Sequence, residues 1–129
     1  MKKIKLFLIL ISLLISSGFS QQVTNKQIQV GLDKIYNFNW DDGFKVFNTI
    51  IKKHPDDPRG YHYKSIIFLW YYLGNLNETN LDSFIYFSDK SLELANRKIT
   101  QKNTAELKYL IGSIYYNKSI AEARSGNYL

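Results

Sequence analysis

Cysteine is absent from the chain. That excludes a disulfide framework, a thiolate metal cluster and a cysteine nucleophile, and leaves an apolar core as the source of stability. Proline is scarce: Pro55 and Pro58 bracket two aspartates and mark one rigid turn. No glycine-rich phosphate loop, Gly-x-Ser-x-Gly elbow or His-Glu-x-x-His pair occurs, so no reaction is announced, and neither an enzyme nor a cofactor is expected. The two histidines, His54 and His62, flank the proline turn with Asp56 and Asp57 between them. Zinc sites recruit three or four ligands at helical or knuckle spacing, so no metal is expected here. Asp41–Asp42 and Asp56–Asp57 are adjacent carboxylates that point apart on a helix or turn, and they read as caps and turn residues. Apolar residues nowhere alternate long enough to argue a sheet.

What is present is 129 residues, 45% hydrophobic and 16% aromatic. This suffices for one small foldable domain and excludes a multidomain enzyme.

The first twenty residues stand apart. Lys2, Lys3 and Lys5 precede an apolar run, residues 6–15, broken only by Ser12, and Ser16, Ser17, Gly18, Phe19 and Ser20 follow. This is the order of a secretory signal, and small residues at Gly18 and Ser20 place the expected cut between Ser20 and Gln21. A membrane anchor would need about 20 apolar residues, roughly twice this run. No stable membrane insertion is therefore expected after signal removal. Without a cysteine at the junction, lipoprotein anchoring is excluded. The expected location is periplasmic or secreted, in a bacterium.

Removing the signal leaves 14 basic residues against 11 acidic ones. The mature chain is mildly basic, and its aspartates are interleaved with its lysines, unlike the cationic stripe of a nucleic-acid-binding protein. No nucleic-acid partner is expected.

From Gln21 onward the spacing predicts five helices. The first spans 25–37, with Ile28, Leu32 and Ile35 on one face. Asn39 opens a second, with Asp41 and Asp42 at its positive end, Phe44, Phe47 and Ile51 on one face, and His54-Pro55 as its stop. A third, 59–73, is dense in aromatics and ends at Gly74-Asn75. A fourth spans 81–97 with Asn80 as cap, and a fifth spans 104–124 with Leu107, Leu110, Ile111, Ile114 and Tyr115 as its apolar face.

Small residues recur inside this pattern. Val30-Gly31 is followed by Gly43, Phe47 four later and Pro55 eight after that. Tyr61, Ser65 and Phe68 repeat the opening, with Ser65 34 residues beyond Gly31, and Ile111-Gly112 with Tyr115 repeat it again. This resembles the tetratricopeptide repeat, a 34-residue helix-turn-helix unit. Gln27 and Lys34 depart from expected aromatics, Lys64 replaces an aliphatic, and the step from Ser65 to Gly112 is 47 residues. An all-α fold follows, with antiparallel helix pairs stacked as a solenoid over residues 21–129, about two and a half repeats. Gly31, Gly43, Ser65 and Gly112 are expected to let helix backbones approach closely. The third and fifth helices are expected to be longer than the first.

The resemblance implies a non-catalytic scaffold that binds a protein or peptide along the groove lined by its first helices. Lys34, Tyr61, Lys64 and Lys108 are the groove candidates it nominates, with Tyr63, Tyr71, Tyr72 and Tyr116 as further tyrosines that bury a ring and wet a hydroxyl. Asn127-Tyr128 resembles Asn39-Trp40 and would open a partner for the fifth helix. The sequence is thus expected to be a piece of a longer protein, and one alternative to the scaffold is that the activity lies beyond residue 129. If it is instead complete, the uncovered face of the fifth helix is expected to self-associate. A membrane-anchored envelope protein, with its signal uncut, is the remaining alternative.

Overall fold

Five α-helices follow one another through the described residues, Val23 and 25–126 of a computed structural model, and no strand occurs among them. The signal-like segment, its Ser20–Gln21 junction and the Asn127-Tyr128 pair lie outside the described residues. The helices are α1 (Asn25–Tyr36), α2 (Trp40–Lys53), α3 (Pro58–Asn75), α4 (Glu78–Gln101) and α5 (Ala105–Ser125). At 18 and 21 residues, α3 and α5 exceed the 12-residue α1.

Local chemistry sets each boundary. Phe38 and Leu76 close α1 and α3 in the left-handed region, at φ 57° and 53°. The expected stop at Gly74 is therefore displaced: Gly74 stays helical, and Leu76 N–H returns to the Tyr72 carbonyl at 2.7 Å. Asn39 precedes α2 without capping it. Its side-chain amide donates to Asp42 Oδ2 instead, at 2.9 Å. Asp57 caps α3 by accepting from Arg59 N–H, and Pro58 takes the first position, where a missing N–H costs nothing. Asn77, not Asn80, caps α4 by accepting from Thr79 N–H, so the helix starts a turn earlier than expected. Thr104 caps α5, and Gly126 ends it at φ 77°.

Short connections make successive helices reverse direction. Each packs on its chain neighbours, and α1 also meets α3, and α3 meets α5. No contact joins α2 to α4 or α1 to α5. The odd helices thus form a row with α3 at its centre, touching all four others.

Three apolar clusters hold this arrangement. One joins α1, α2 and α3 through Ile28, Ile35, Phe47, Ile50 and Ile67; a second joins α3, α4 and α5 through Leu69, Tyr72, Phe84 and Ala121; a third joins α4 and α5 through Ala95, Leu110 and Ile114. Tight approach at the first cluster rests on glycine. A Cβ on Gly31 would collide with the tip of the Phe47 ring, and one on Gly43 would sit 3.2 Å from Ile67 Cδ1. Gly60 does the same work against Ile50 and Ile51, at 3.1 and 3.0 Å, which the repeat spacing did not flag. Gly112 corrects the expectation: it is exposed and nothing approaches within 4 Å of its Cβ position. Tyr115 also falls outside the apolar face, 57% exposed, because it sits 100° around α5 from the buried Ile114.

Along α4 the buried positions between Phe84 of the second cluster and Leu94 beside the third are both serines, Ser88 and Ser91. Ser91 Oγ donates to the Pro58 carbonyl at 2.8 Å, whereas the equally buried Ser88 Oγ has no partner. A buried hydroxyl without a partner keeps its desolvation cost. Ser88→Ala is therefore expected to raise the unfolding free energy by about 1 kcal/mol, and Ser91→Ala to lower it by about the same. Urea titrations of the two variants read this directly; a destabilised Ser88→Ala would show that the hydroxyl is satisfied in solution.

Candidate functional site

The reversal of direction at each connection brings the first turns of α1, α3 and α5 and the last turn of α4 to one end of the molecule. There they enclose a groove of about 1060 Å³. Ile28 from α1, Tyr63 from α3, and Leu107, Tyr109 and Leu110 from α5 supply its apolar surface. Asn25, Gln29 and Gln101 supply amides, and the charges are Arg59, Lys98 and Lys102 against Asp57 and Glu106.

Arg59 is committed within this charge set. Its Nε and Nη2 donate to Asp57 at 3.0 and 2.7 Å, Nη1 donates to Asn25 Oδ1 at 3.1 Å, and Nη2 also donates to the Val23 carbonyl at 2.8 Å. The hydrogen bonds it donates to the Asp57 carboxylate favour the charged guanidinium and raise its pKa further. Arg59 therefore staples the entry to α1 onto the start of α3. Lys98 and Lys102 line the groove as well, and among the described residues neither forms an ion pair.

Tyr63 forms part of the floor. Burial pushes its phenol up, and the Tyr109 and Tyr36 hydroxyls add to that, so rings from α5 and α1 lie within electrostatic reach of it. Tyr109 is 76% exposed. The groove thus offers one half-buried and one open tyrosine ring beside aliphatic side chains and amides, a surface suited to an extended peptide backbone.

The four nominated residues sit elsewhere, and none is among the groove's lining residues. Lys34 turns toward α2 and lies 3.9 Å from Asp42 Oδ2. Tyr61 and Lys64 are brought together on Phe87 of α4, with the Lys64 amine 4.1 Å above that ring. At 100° per residue, they occupy the side of α3 opposite Arg59 and Tyr63. Lys108 is exposed on α5. Among the other tyrosines, Tyr72 is fully buried, Tyr71 packs on Trp40 and Phe44, and Tyr116 is exposed. The i, i+4 pair Arg59 and Tyr63 was the sequence signal for the groove side of α3, but aromatics crowd that helix all round and hide it.

His62 is buried beside this floor at the α3–α5 contact. Its Nε2 lies 3.2 Å from Ser113 Oγ, its Nδ1 has no partner, and burial lowers its pKa to about 4. Among the described residues no group of three or more His, Cys, Asp or Glu is placed to hold a metal ion. No described helix is long and apolar enough to cross a membrane. Comparison with protein-family models, with curated proteins and with solved structures found no match to the chain.

Proposed function

We propose that the chain is an exported, non-catalytic scaffold of tetratricopeptide-like helix pairs that binds an extended peptide or protein segment in the groove between α1, α3 and α5. The observation that carries this reading is the groove itself, floored by α3 and walled by the two other odd helices. Repeat scaffolds bind along such a row, because each added helix pair extends one continuous surface. Tyr63 and Tyr109 supply rigid rings at low entropic cost, and the amides of Gln29 and Gln101 are placed to pair with a peptide backbone.

Site-directed photo-crosslinking in the cell tests it. With p-benzoylphenylalanine in place of Tyr109, a discrete adduct with a second protein is expected; in place of Lys108, on the outer side of α5, none is expected. Equal adducts at both positions, or none at either, would overturn the groove as the binding surface. The export half of the reading has its own check. N-terminal sequencing of the processed protein is expected to begin at Gln21, and a chain retained in the membrane with Met1 intact would exclude it.

A further inference from the structure

The face of α3 that looks away from the groove is also built, and from different materials. Phe44 of α2 meets Phe68 of α3 edge-on at 4.9 Å, and Phe68 stacks on Phe87 of α4 at 5.6 Å and 3°. Trp40 and Tyr71 continue the chain of rings from Phe44, and Tyr61 flanks Phe87 at the other end. Every one of these six rings is partly exposed. The line ends on two open rings, Phe38 beside Trp40 and Tyr86 against Phe87, 82% and 64% exposed. Since α2 and α4 do not touch, the rings of α3 floor a shallow channel between them.

Lys64 stands in this channel. Its amine lies over the Phe87 ring, and among the described residues no carboxylate pairs with it. Desolvation lowers its pKa, the mark of a cation held against apolar surface. On the flanking helices, Asp42 of α2 is engaged by Lys45, Asp41 of α2 by the Tyr71 hydroxyl at 3.5 Å, and Glu93 of α4 by Lys90. An uncompensated cation on a bed of rings is complementary to one anion carried between apolar groups.

We propose that the channel between α2 and α4 is a second docking surface, distinct from the groove, for an extended peptide in which a single Asp or Glu is flanked by proline or aromatic side chains. The carboxylate pairs with Lys64, and the flanking side chains lie on Phe68, Phe87 and Tyr61, as proline-rich segments lie on aromatic channels elsewhere. An anionic membrane fits less well, because such surfaces attract clusters of lysines, and among the described residues Lys64 is the one cation seated over these rings.

The probes are the capped peptide acetyl-PPFEFPP-amide and its neutral twin with Gln in place of Glu, titrated into the ¹⁵N-labelled chain. Shifts are expected at Tyr61, Lys64, Phe68 and Phe87 and not at Tyr63 or Tyr109, with the Glu peptide about fivefold tighter than the Gln peptide. In Lys64→Gln that difference is expected to vanish while weaker binding by both peptides persists; Lys64→Arg is expected to keep it. Lys64 is only partly buried, so both variants are expected to stay folded, which their far-UV CD and melting temperatures verify. Absence of shifts, equal affinity for the two peptides in the wild type, or shifts confined to Tyr63 and Tyr109 would overturn the proposal. So would binding to vesicles of phosphatidylglycerol and phosphatidylethanolamine that Lys64→Gln abolishes, with no response to either peptide.

Discussion

Acidification from pH 7 to pH 4 is expected to lower the unfolding free energy by about 3 kcal/mol through His62 alone. In the fold this ring is 2% exposed, bonded only at Nε2, and burial holds its pKa at about 4 against an ordinary 6.5. The folded state therefore favours neutral imidazole. Above pH 6.5 neither state binds the proton, and the fold has its full stability. As pH falls below 6.5 the unfolded chain takes up a proton that the fold refuses, so stability declines until about pH 4, where the folded ring also charges. No charged neighbour contributes to this shift. The favoured carboxylates act at the acidic end: Asp42, held low by hydrogen bonds from Lys45 and Asn39, and Glu93, held low by Lys90, give their full stabilisation above the ordinary carboxylate values of 3.8 and 4.5 and lose it as pH falls below them. Urea midpoints followed by far-UV CD at half-unit steps between pH 7 and 4 measure the slope. His62→Gln keeps a hydrogen-bonding group toward Ser113 but does not titrate, and its profile is expected to be flat from pH 7 to about 5, above the carboxylate range. A sloping His62→Gln profile would place the proton uptake elsewhere.

Gly31→Ala is expected to cost the fold about 2 to 3 kcal/mol, although alanine is the better helix former. The new methyl would overlap the Phe47 ring tip, with Cε1 and Cε2 both at 2.8 Å. Phe47 has no room to retreat, being 0% exposed and backed by Tyr63 at a ring distance of 5.5 Å. Two companions separate this contact from any general effect of glycine. At Gly112 the same substitution meets open space in mid-helix and is expected to stabilise by about 1 kcal/mol. In Gly31→Ala combined with Phe47→Leu the shorter side chain makes room, so the double variant is expected to be more stable than the sum of the singles by about 1 kcal/mol. Thermal and urea unfolding of the wild type, the three single variants and the double variant decide it; equal effects at Gly31 and Gly112 would show that the Phe47 contact carries no weight.

These two glycines also show what could be read from the amino acids. Helix existence was legible because Ile28, Leu32 and Ile35, and again Leu107, Leu110 and Ile114, recur at three and four, and burial enforces that period. Which small residue sits in a tight contact was not legible. Gly31 and Gly112 have similar neighbours in sequence, yet only Gly31 has a helix across from it. Boundaries failed where two cap residues competed: Asn77 and Asn80 are both competent, and Leu76 in the left-handed region directs the chain so that Asn77 meets Thr79 N–H. The groove was harder still. Tyr61, Tyr63 and Lys64 are near neighbours, but one helical turn sends Tyr63 to the groove and the other two to Phe87. In a helix with aromatics on every side, periodicity cannot assign a ring to a face.

The division of the core into three clusters bears on how the chain opens. Only α3 touches every other helix, while α1 is held through the first cluster, the Arg59 staple and the Lys34–Asp42 ion pair. Partial openings that release α1 break only that set of contacts, whereas releasing α3 dissolves the whole assembly. Amide deuteration should therefore be graded, fastest at the outer helices and slowest in the middle of α3, around Ile67 and Leu69. A ligand that bridges α1 and α5 across the groove would then act as a clasp, slowing exchange in helices it joins but which never touch each other.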